Sequence, residues 1–296
     1  MKILIVYNPN SGQGKGAATA EKIKQTNFFA GQDLEIFELK DNSGDIFNKY
    51  KNESFDTVVA IGGDGTINTC VRLILGSMPQ AKLLIVPSGS SNALAMSIGA
   101  PLSLRKKIKK LNKPACLQNK IIDIGEVNGK IFLVSVIAGY AAEVTGNTEQ
   151  KIKNRYGFFG YALDLIKHRH PSIYKFKLSV DGKNRNIEVG ALSVLNAFSG
   201  VGGIPTRQKT SYDDGLLDVI FMRYDNFFGF LISILFMFLA KAHPKKKYKH
   251  FSGREIILAR KDNKQKISLQ VDGEMVDFKE DKIVFKVLPK KLSVIV

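Results

Sequence analysis

The stretch Thr57-Val58-Val59-Ala60-Ile61-Gly62-Gly63-Asp64-Gly65-Thr66-Ile67-Asn68 decides how the chain is to be read. Five residues of unbroken strand character run into three glycines within four positions. A helical pattern follows, with Ile67, Cys70, Val71 and Ile74 at i, i+3, i+4 and i+7. An apolar strand that alternates with helices implies a parallel sheet covered on both faces. The glycines remove side chains where an anion could sit, and Thr66 is a suitable N-cap for the helix behind them. Asp64 is at odds with that picture, because a carboxylate repels a phosphate unless a metal ion or proton intervenes. Mg²⁺ bridging the two resolves the conflict.

The same construction recurs on both sides of this stretch. Upstream, the strand candidate Ile3–Val6 opens into Asn8-Pro9-Asn10-Ser11-Gly12-Gln13-Gly14-Lys15-Gly16. That loop matches neither the Walker A spacing nor G-x-G-x-x-G. Downstream, Leu83–Val86 opens into Pro87-Ser88-Gly89-Ser90-Ser91-Asn92-Ala93-Leu94-Ala95. Strands also fit Leu34–Leu39 and Ile121–Ile124, and a helix fits near Ala17–Thr26. Strand C-termini of a parallel sheet share one edge, where open α/β folds bind ligands. Three small-residue loops at that edge weigh more than any one of them.

Beyond about residue 125 the texture changes. Asn128-Gly129 and Asp181-Gly182 separate alternating runs, the signature of type I′ hairpins. Further strands fit Leu216–Met222, Arg254–Leu258, Lys266–Val271 and Lys282–Val287. Helices are expected near Phe158–His168 and Phe227–Lys241. The fold class is thus a Rossmann-like α/β domain over residues 1–124 and a mainly antiparallel β-sandwich domain over 125–296. The last strand is free to pack back on the first domain.

Forty-four basic residues against 27 acidic ones give a formal charge of +17. That excess favours anionic partners: membrane, phosphate ligands or nucleic acid. Without an aromatic base platform, nucleic acid is the least suited of these. The basic run at Arg105, Lys106, Lys107, Lys109 and Lys110 reads as the wet face of a helix. Cys70 and Cys116 are expected as buried, reduced thiols. Ile3 to Tyr7 is shorter than the ~7–15 apolar residues of a signal h-region. The apolar run Phe227–Ala240 falls short of the ~20 residues of a spanning helix. Followed by Lys241, Lys245, Lys246, Lys247 and Lys249, it fits either an interfacial helix or a core helix. His168 and His170, two residues apart, suit one helix face poorly and read as surface histidines.

The loops at 8–12, 62–66 and 87–95, with Asp213-Asp214-Gly215-Leu216-Leu217-Asp218-Val219 and Asp272-Gly273-Glu274, together resemble the diacylglycerol kinase catalytic family. That family includes bacterial diacylglycerol kinases, YegS-like lipid kinases, and the sphingosine and ceramide kinases. GGDGT alone is shared with NAD kinases. The resemblance implies an ATP- and Mg²⁺-dependent lipid kinase, cytoplasmic and peripheral to the membrane, with the nucleotide in the cleft between two domains. By the same resemblance Gly62, Gly63, Asp64, Gly65, Thr66, Ile67 and Asn68 bind nucleotide phosphates, with Asn8, Ser11, Gly89 and Ser90 adding contacts. Asp214 falls where bacterial members hold a structural Mg²⁺, helped by backbone groups near Ser211 and Leu216. Glu274 falls at the proton acceptor, with Asp272 as competitor and Asp64 as a further catalytic carboxylate. Glu143 falls where sphingosine kinases meet the lipid head. Ser90, the Asn92-Ala93 pair and the segment Ala138–Glu143 depart from the bacterial pattern and leave the lipid open. An NAD kinase, a lipid-binding protein without activity, and a homodimer stay open as alternatives.

Overall fold

The computed structural model describes residues 1–40, 44–139, 173–197, 200–201, 204–205, 210–222, 248–260 and 268–296. It divides into two units, 1–122 with 290–296, and 123–289.

The first unit is built on four parallel strands, β1 (Lys2–Tyr7), β2 (Asp33–Glu38), β3 (Thr57–Gly62) and β4 (Lys82–Pro87), in the order β2-β1-β3-β4. Every residue of β3 is buried, as a central strand covered on both faces requires. One face carries Ile3, Ile5, Val59, Ile61, Leu84 and Val86, packed with Ala20, Ile23, Phe28 and Phe29. The connecting helices include a short, irregular α1 (Ser11–Gly14), α2 (Gly16–Lys24), α3 (Gly44–Lys49), α4 (Asp64–Ser77), α5 (Ala93–Ser97) and α6 (Leu104–Leu111).

Helix α4 buries Ile67, Cys70, Val71 and Ile74, the face given by their spacing. It starts earlier than Thr66: Gly63 is the N-cap, and Thr66 lies buried within the first turn. Two further expectations need correction. Cys116 is exposed, and only Cys70 is buried. Within α6, Lys107 is fully buried, while Arg105, Lys106 and Lys109 are exposed. It lies three residues after Leu104 and four before Leu111, so the helix turns this lysine inward with them.

The second unit is a two-sheet sandwich. Its first strands are β5 (Asn119–Val127), which enters from the first unit, β6 (Lys130–Phe132), β7 (Ser135–Gly139), β8 (Tyr174–Val180), β9 (Lys183–Val189) and β10 (Ala191–Leu195). A short hairpin, β11 (Gly200–Val201) and β12 (Ile204–Pro205), precedes β13 (Leu217–Met222), β14 (Tyr248–Gly253) and β15 (Glu255–Arg260). The chain ends with β16 (Ser268–Val271), β17 (Glu274–Asp277) and the long β18 (Lys282–Ile295).

One sheet runs β18-β15-β8-β9, with β5 also on β18 and β6 on β5. The other runs β14-β13-β10-β7-β16-β17. Between them, Phe132, Phe176 and Phe285 join Val136, Leu192, Val219 and Leu269 in one buried cluster. The end of β18 lies parallel to β4, Val294 opposite Leu83, inside the first unit. The helices expected near 158–168 and 227–241, His168, His170 and Glu143 lie outside the described residues. Among the described residues no helix is long and apolar enough to cross a membrane.

Candidate active site

Strands β1, β3 and β4 are neighbours, so the loops that leave their C-terminal ends emerge side by side. The loop after β1 is tied to β3 where Asn8 N–H donates to Ile61 O at 3.1 Å. Asn8 Oδ1 accepts from Asn10 N–H at 2.8 Å, and Asn8 O accepts from Ser11 Oγ at 2.8 Å. Gly12, Gln13 and Gly14 then take left-handed backbone conformations, which coils the chain tightly.

The loop after β4 joins both others. Ser88 N–H donates to Gly62 O at 2.9 Å, and Ser88 Oγ donates to Ser11 Oγ at 2.9 Å. Gly63 and Gly89 touch backbone to backbone: a Cβ on Gly89 would stand 2.5 Å from Gly63 Cα. Only glycine permits that approach. Asn92, left-handed with φ 50°, grips Gly89 at both ends: its Oδ1 accepts from Gly89 N–H at 3.0 Å and its Nδ2 donates to Gly89 O at 2.7 Å. The three loops form one structure, lined by backbone amides at the start of the 14-residue helix α4. Gly65 is exposed there, and open space lies beyond its Cα. Such an end of a helix attracts anions.

Asp64 has an occupation that its sequence position conceals. Its Oδ1 accepts from Ala93 N–H at 2.8 Å, so it caps α5 from another loop. Burial pushes its carboxyl above the ordinary range, and backbone N–H donors from Ala93, Leu94 and Asn92 oppose that push. The clash between a carboxylate and a phosphate cradle is thereby met largely inside the protein. Thr66 and Ile67 are buried and serve the helix, whereas Gly65, Asn68 and Ser90 are at least partly accessible.

In the second unit, the two rival carboxylates separate clearly. Asp272, left-handed with φ 46°, accepts three backbone N–H groups: Leu133 at 2.6 Å, Val134 at 2.9 Å and Ser135 at 3.0 Å. These donors mark the place where the chain leaves β6 in one sheet and starts β7 in the other. Glu274 opens the edge strand β17 opposite Val271 and is exposed, and its carboxylate has no hydrogen-bond or ion-pair partner among the described residues.

The Asp214 loop is crowded with like charge. Burial first, and then Asp218, Asp123 and Asp213, raise the Asp214 carboxyl, while the Leu216 N–H at 3.0 Å opposes them. Ser211 Oγ donates to Asp213 Oδ1 at 2.6 Å, and Gly215 N–H to the buried Asp123 at 2.6 Å. Asn196 donates to Asp123 O and Leu133 O, and its buried Oδ1 has no partner among the described residues. Excess negative charge on a loop fits a hard cation. Among the described residues no three His, Cys, Asp or Glu side chains are grouped to hold an ion alone. One or two carboxylates with several retained waters are how Mg²⁺ is commonly bound.

Sequence reading missed Ser88, Asn92 and Asp123 as site-building residues. Ser88 and Asn92 lie inside a loop already singled out. Asp123 carried a signal too, as the lone acid in the apolar run Ile121–Ile124.

The first unit matches the diacylglycerol kinase catalytic domain over residues 2–126, and residues 134–296 match the YegS C-terminal NAD kinase beta sandwich-like domain. The diacylglycerol kinase of Bacillus subtilis is 26% identical over 91% of this chain and 88% of its own. A probable lipid kinase, YegS-like, of Pseudomonas aeruginosa is 32% identical over 56% of this chain. That match spans about half, 54%, of the Pseudomonas relative's length. A solved diacylglycerol kinase structure from Bacillus anthracis covers 99% of this chain and 96% of its own, with TM-score 0.73 and 18% identity. Yeast NADH kinase, solved with NADH, covers 100% of this chain and 82% of its own, with TM-score 0.56 and 12% identity. These last two likenesses concern the fold alone. With one domain match on each side of residue 130, the chain belongs to the diacylglycerol kinase and YegS-like lipid kinase family.

Proposed function

We propose that the chain transfers the terminal phosphoryl group of ATP to the hydroxyl of a lipid, diacylglycerol or a sphingoid-type lipid. The observation that carries this reading is the mutual closure of the three strand-end loops, Gly63 on Gly89 and Ser11 on Ser88. Phosphoryl transfer asks mainly for positioning and charge neutralisation, plus a carboxylate to accept the hydroxyl proton. The amides at the start of α4 hold the nucleotide phosphates, and Asp64 fixes the loop around them. Mg²⁺ bound with the nucleotide would neutralise phosphate charge, and Asp214 with backbone groups near Ser211 and Leu216 would hold a separate, structural Mg²⁺. Glu274 accepts the proton, because it is the unencumbered carboxylate of its pair. The lipid reading also draws on the names of the relatives, and fits action at a membrane surface.

The test is turnover of labelled ATP against a panel of diacylglycerol, sphingoid base, monoacylglycerol, phosphatidylglycerol and NAD. Phosphorylation of a lipid is expected, and Glu274→Gln should lower it at least ~100-fold, the lower range for a general base, with nucleotide affinity retained. Phosphorylation of NAD and of no lipid would overturn the reading in favour of the nucleotide kinase whose fold this chain shares.

A further inference from the structure

From Gly65 to Ile122 the chain carries nine basic residues and no acidic one. Six of the nine, Arg105, Lys106, Lys107, Lys109, Lys110 and Lys113, fall in or directly after α6. Among the described residues none of the six has a carboxylate partner. Local energetics disfavour this arrangement. Arg105 faces Lys109, and Lys106 faces Lys110, at the i, i+4 spacing where like charges repel. The first turn holds cations and no acid, against the helix dipole. Burial and the charge of Lys110 push the Lys107 amine down to about 8. A helix this short gains nothing from such crowding unless an external anion relieves it.

The two ends of the helix narrow the choice of anion. Leu102, just before α6, is 45% exposed, and Pro114, Ala115 and Cys116, just after it, are exposed as well. Apolar tips on either side of a basic face suit the boundary between lipid headgroups and acyl chains. A nucleic acid would be served by aromatic platforms, and no aromatic residue occurs from Asn92 to Ile122. We infer that the exposed face of α6, with Leu102 and the 113–116 turn, docks the protein on an anionic lipid bilayer. The inference rests on the lipid-kinase reading for its preference of a bilayer over other polyanions. It assigns to the first unit a membrane contact distinct from the apolar segment at 227–240.

The native thiols allow a direct test. Cys116 is exposed, whereas burial of Cys70 raises its thiol pKa and hides it from reagents. The full chain, labelled at Cys116 with an environment-sensitive fluorophore, is mixed with vesicles of phosphatidylcholine with or without phosphatidylglycerol, in the absence of nucleotide. Partition onto the phosphatidylglycerol vesicles and a blue shift of the dye are expected. Each cation beside an anionic leaflet contributes a factor of about five in partition. The variant R105Q/K106Q/K109Q, changed only at exposed positions, should therefore bind about 100-fold more weakly. Leu102→Ser should weaken the binding that persists at high salt. Unaltered partition of the triple variant, or a dye that stays silent while the protein sediments with vesicles, would place docking elsewhere and overturn the inference. So would binding to single-stranded polynucleotide with none to vesicles. Because the assay contains no ATP, docking without lipid phosphorylation would sink the kinase reading and keep this surface. Phosphorylation with unaltered partition would do the reverse.

Discussion

Replacing Asp272 by Ala should unfold the β6–β7 junction far more than it harms any chemistry. The carboxylate accepts Leu133, Val134 and Ser135 N–H at 2.6, 2.9 and 3.0 Å, and Leu133 and Val134 are buried at 3% and 8% exposure. Truncation leaves two of these donors without an acceptor or ready access to water. Each buried unsatisfied group costs about 1–3 kcal/mol. Placing Ala in the left-handed region at φ 46° adds about 1 kcal/mol. The expected loss is therefore about 3–7 kcal/mol, with Asn intermediate because its single oxygen can still serve Val134 and Ser135. Urea denaturation reads the total. Hydrogen exchange at the Leu133 and Val134 amides, expected to quicken in the variant, locates it. Glu274→Ala, on an exposed edge-strand position, should stay within about 0.5 kcal/mol of the parent. Were Asp272→Ala as stable as Glu274→Ala yet inactive, the structural role argued for Asp272 would be wrong and the base would be Asp272.

Other perturbations follow the same logic. Lys107→Met should stabilise the protein by about 3 kcal/mol, from the fall of the amine from 10.5 to about 8. Because that folded-state value is lowered, the penalty removed is full below pH 8. It shrinks between pH 8 and 10.5, where the parent sheds its proton in the folded state alone. Melting curves at pH 7 and pH 10 that shift equally would contradict it. Gly89→Ala sets a Cβ 2.5 Å from Gly63 Cα, backbone against backbone. It should cost about 2 kcal/mol by overpacking and abolish nucleotide binding measured calorimetrically; retained affinity would separate that contact from the site. Asp214→Asn should relieve repulsion from Asp218, Asp123 and Asp213, so it stabilises the metal-free protein. It should also erase any rise in melting temperature that Mg²⁺ gives the parent; an undiminished rise would place the ion elsewhere.

The features that sequence exposed are those with a short-range cause. Buried parallel strands read as apolar runs, and the loops after β1, β3 and β4 show their glycines directly. The face of α4 follows from spacing alone. What sequence hid depends on partners far along the chain. Thr66 looks like a cap, but Asp64 reaches Ala93, and the cap is Gly63, three residues before Thr66. Asp272 looks like a base because its donors lie 137 to 139 residues away. Lys107 looks solvated within LRKKIKKL, since lysine is rarely placed on the inner face; the i, i+3 step from Leu104 was the signal that outweighed residue type.

Glu274 stands out most clearly when the hairpins of the second unit are compared. Three turns, at Asn128-Gly129, Asp181-Gly182 and Asp272-Gly273, share one construction. Each begins with a left-handed residue, at φ 44°, 47° and 46°. Each donates its own N–H to a neighbouring strand, at Val284 O, Glu255 O and Ser135 O. Each accepts with its side chain the N–H of that same residue, at 2.8, 2.9 and 3.0 Å. Asn128 accomplishes this without a charge, so the device is a clamp between hairpin tip and strand, and the Asp272 carboxylate needs no catalytic explanation. The residue after the glycine opens the return strand in all three cases and is exposed: Lys130, Lys183 and Glu274. In a chain of charge +17, lysine there is the expected filler. The clamp leaves this position free in all three turns, so it does not account for a carboxylate at one of them, and the proton transfer proposed above would give Glu274 a use.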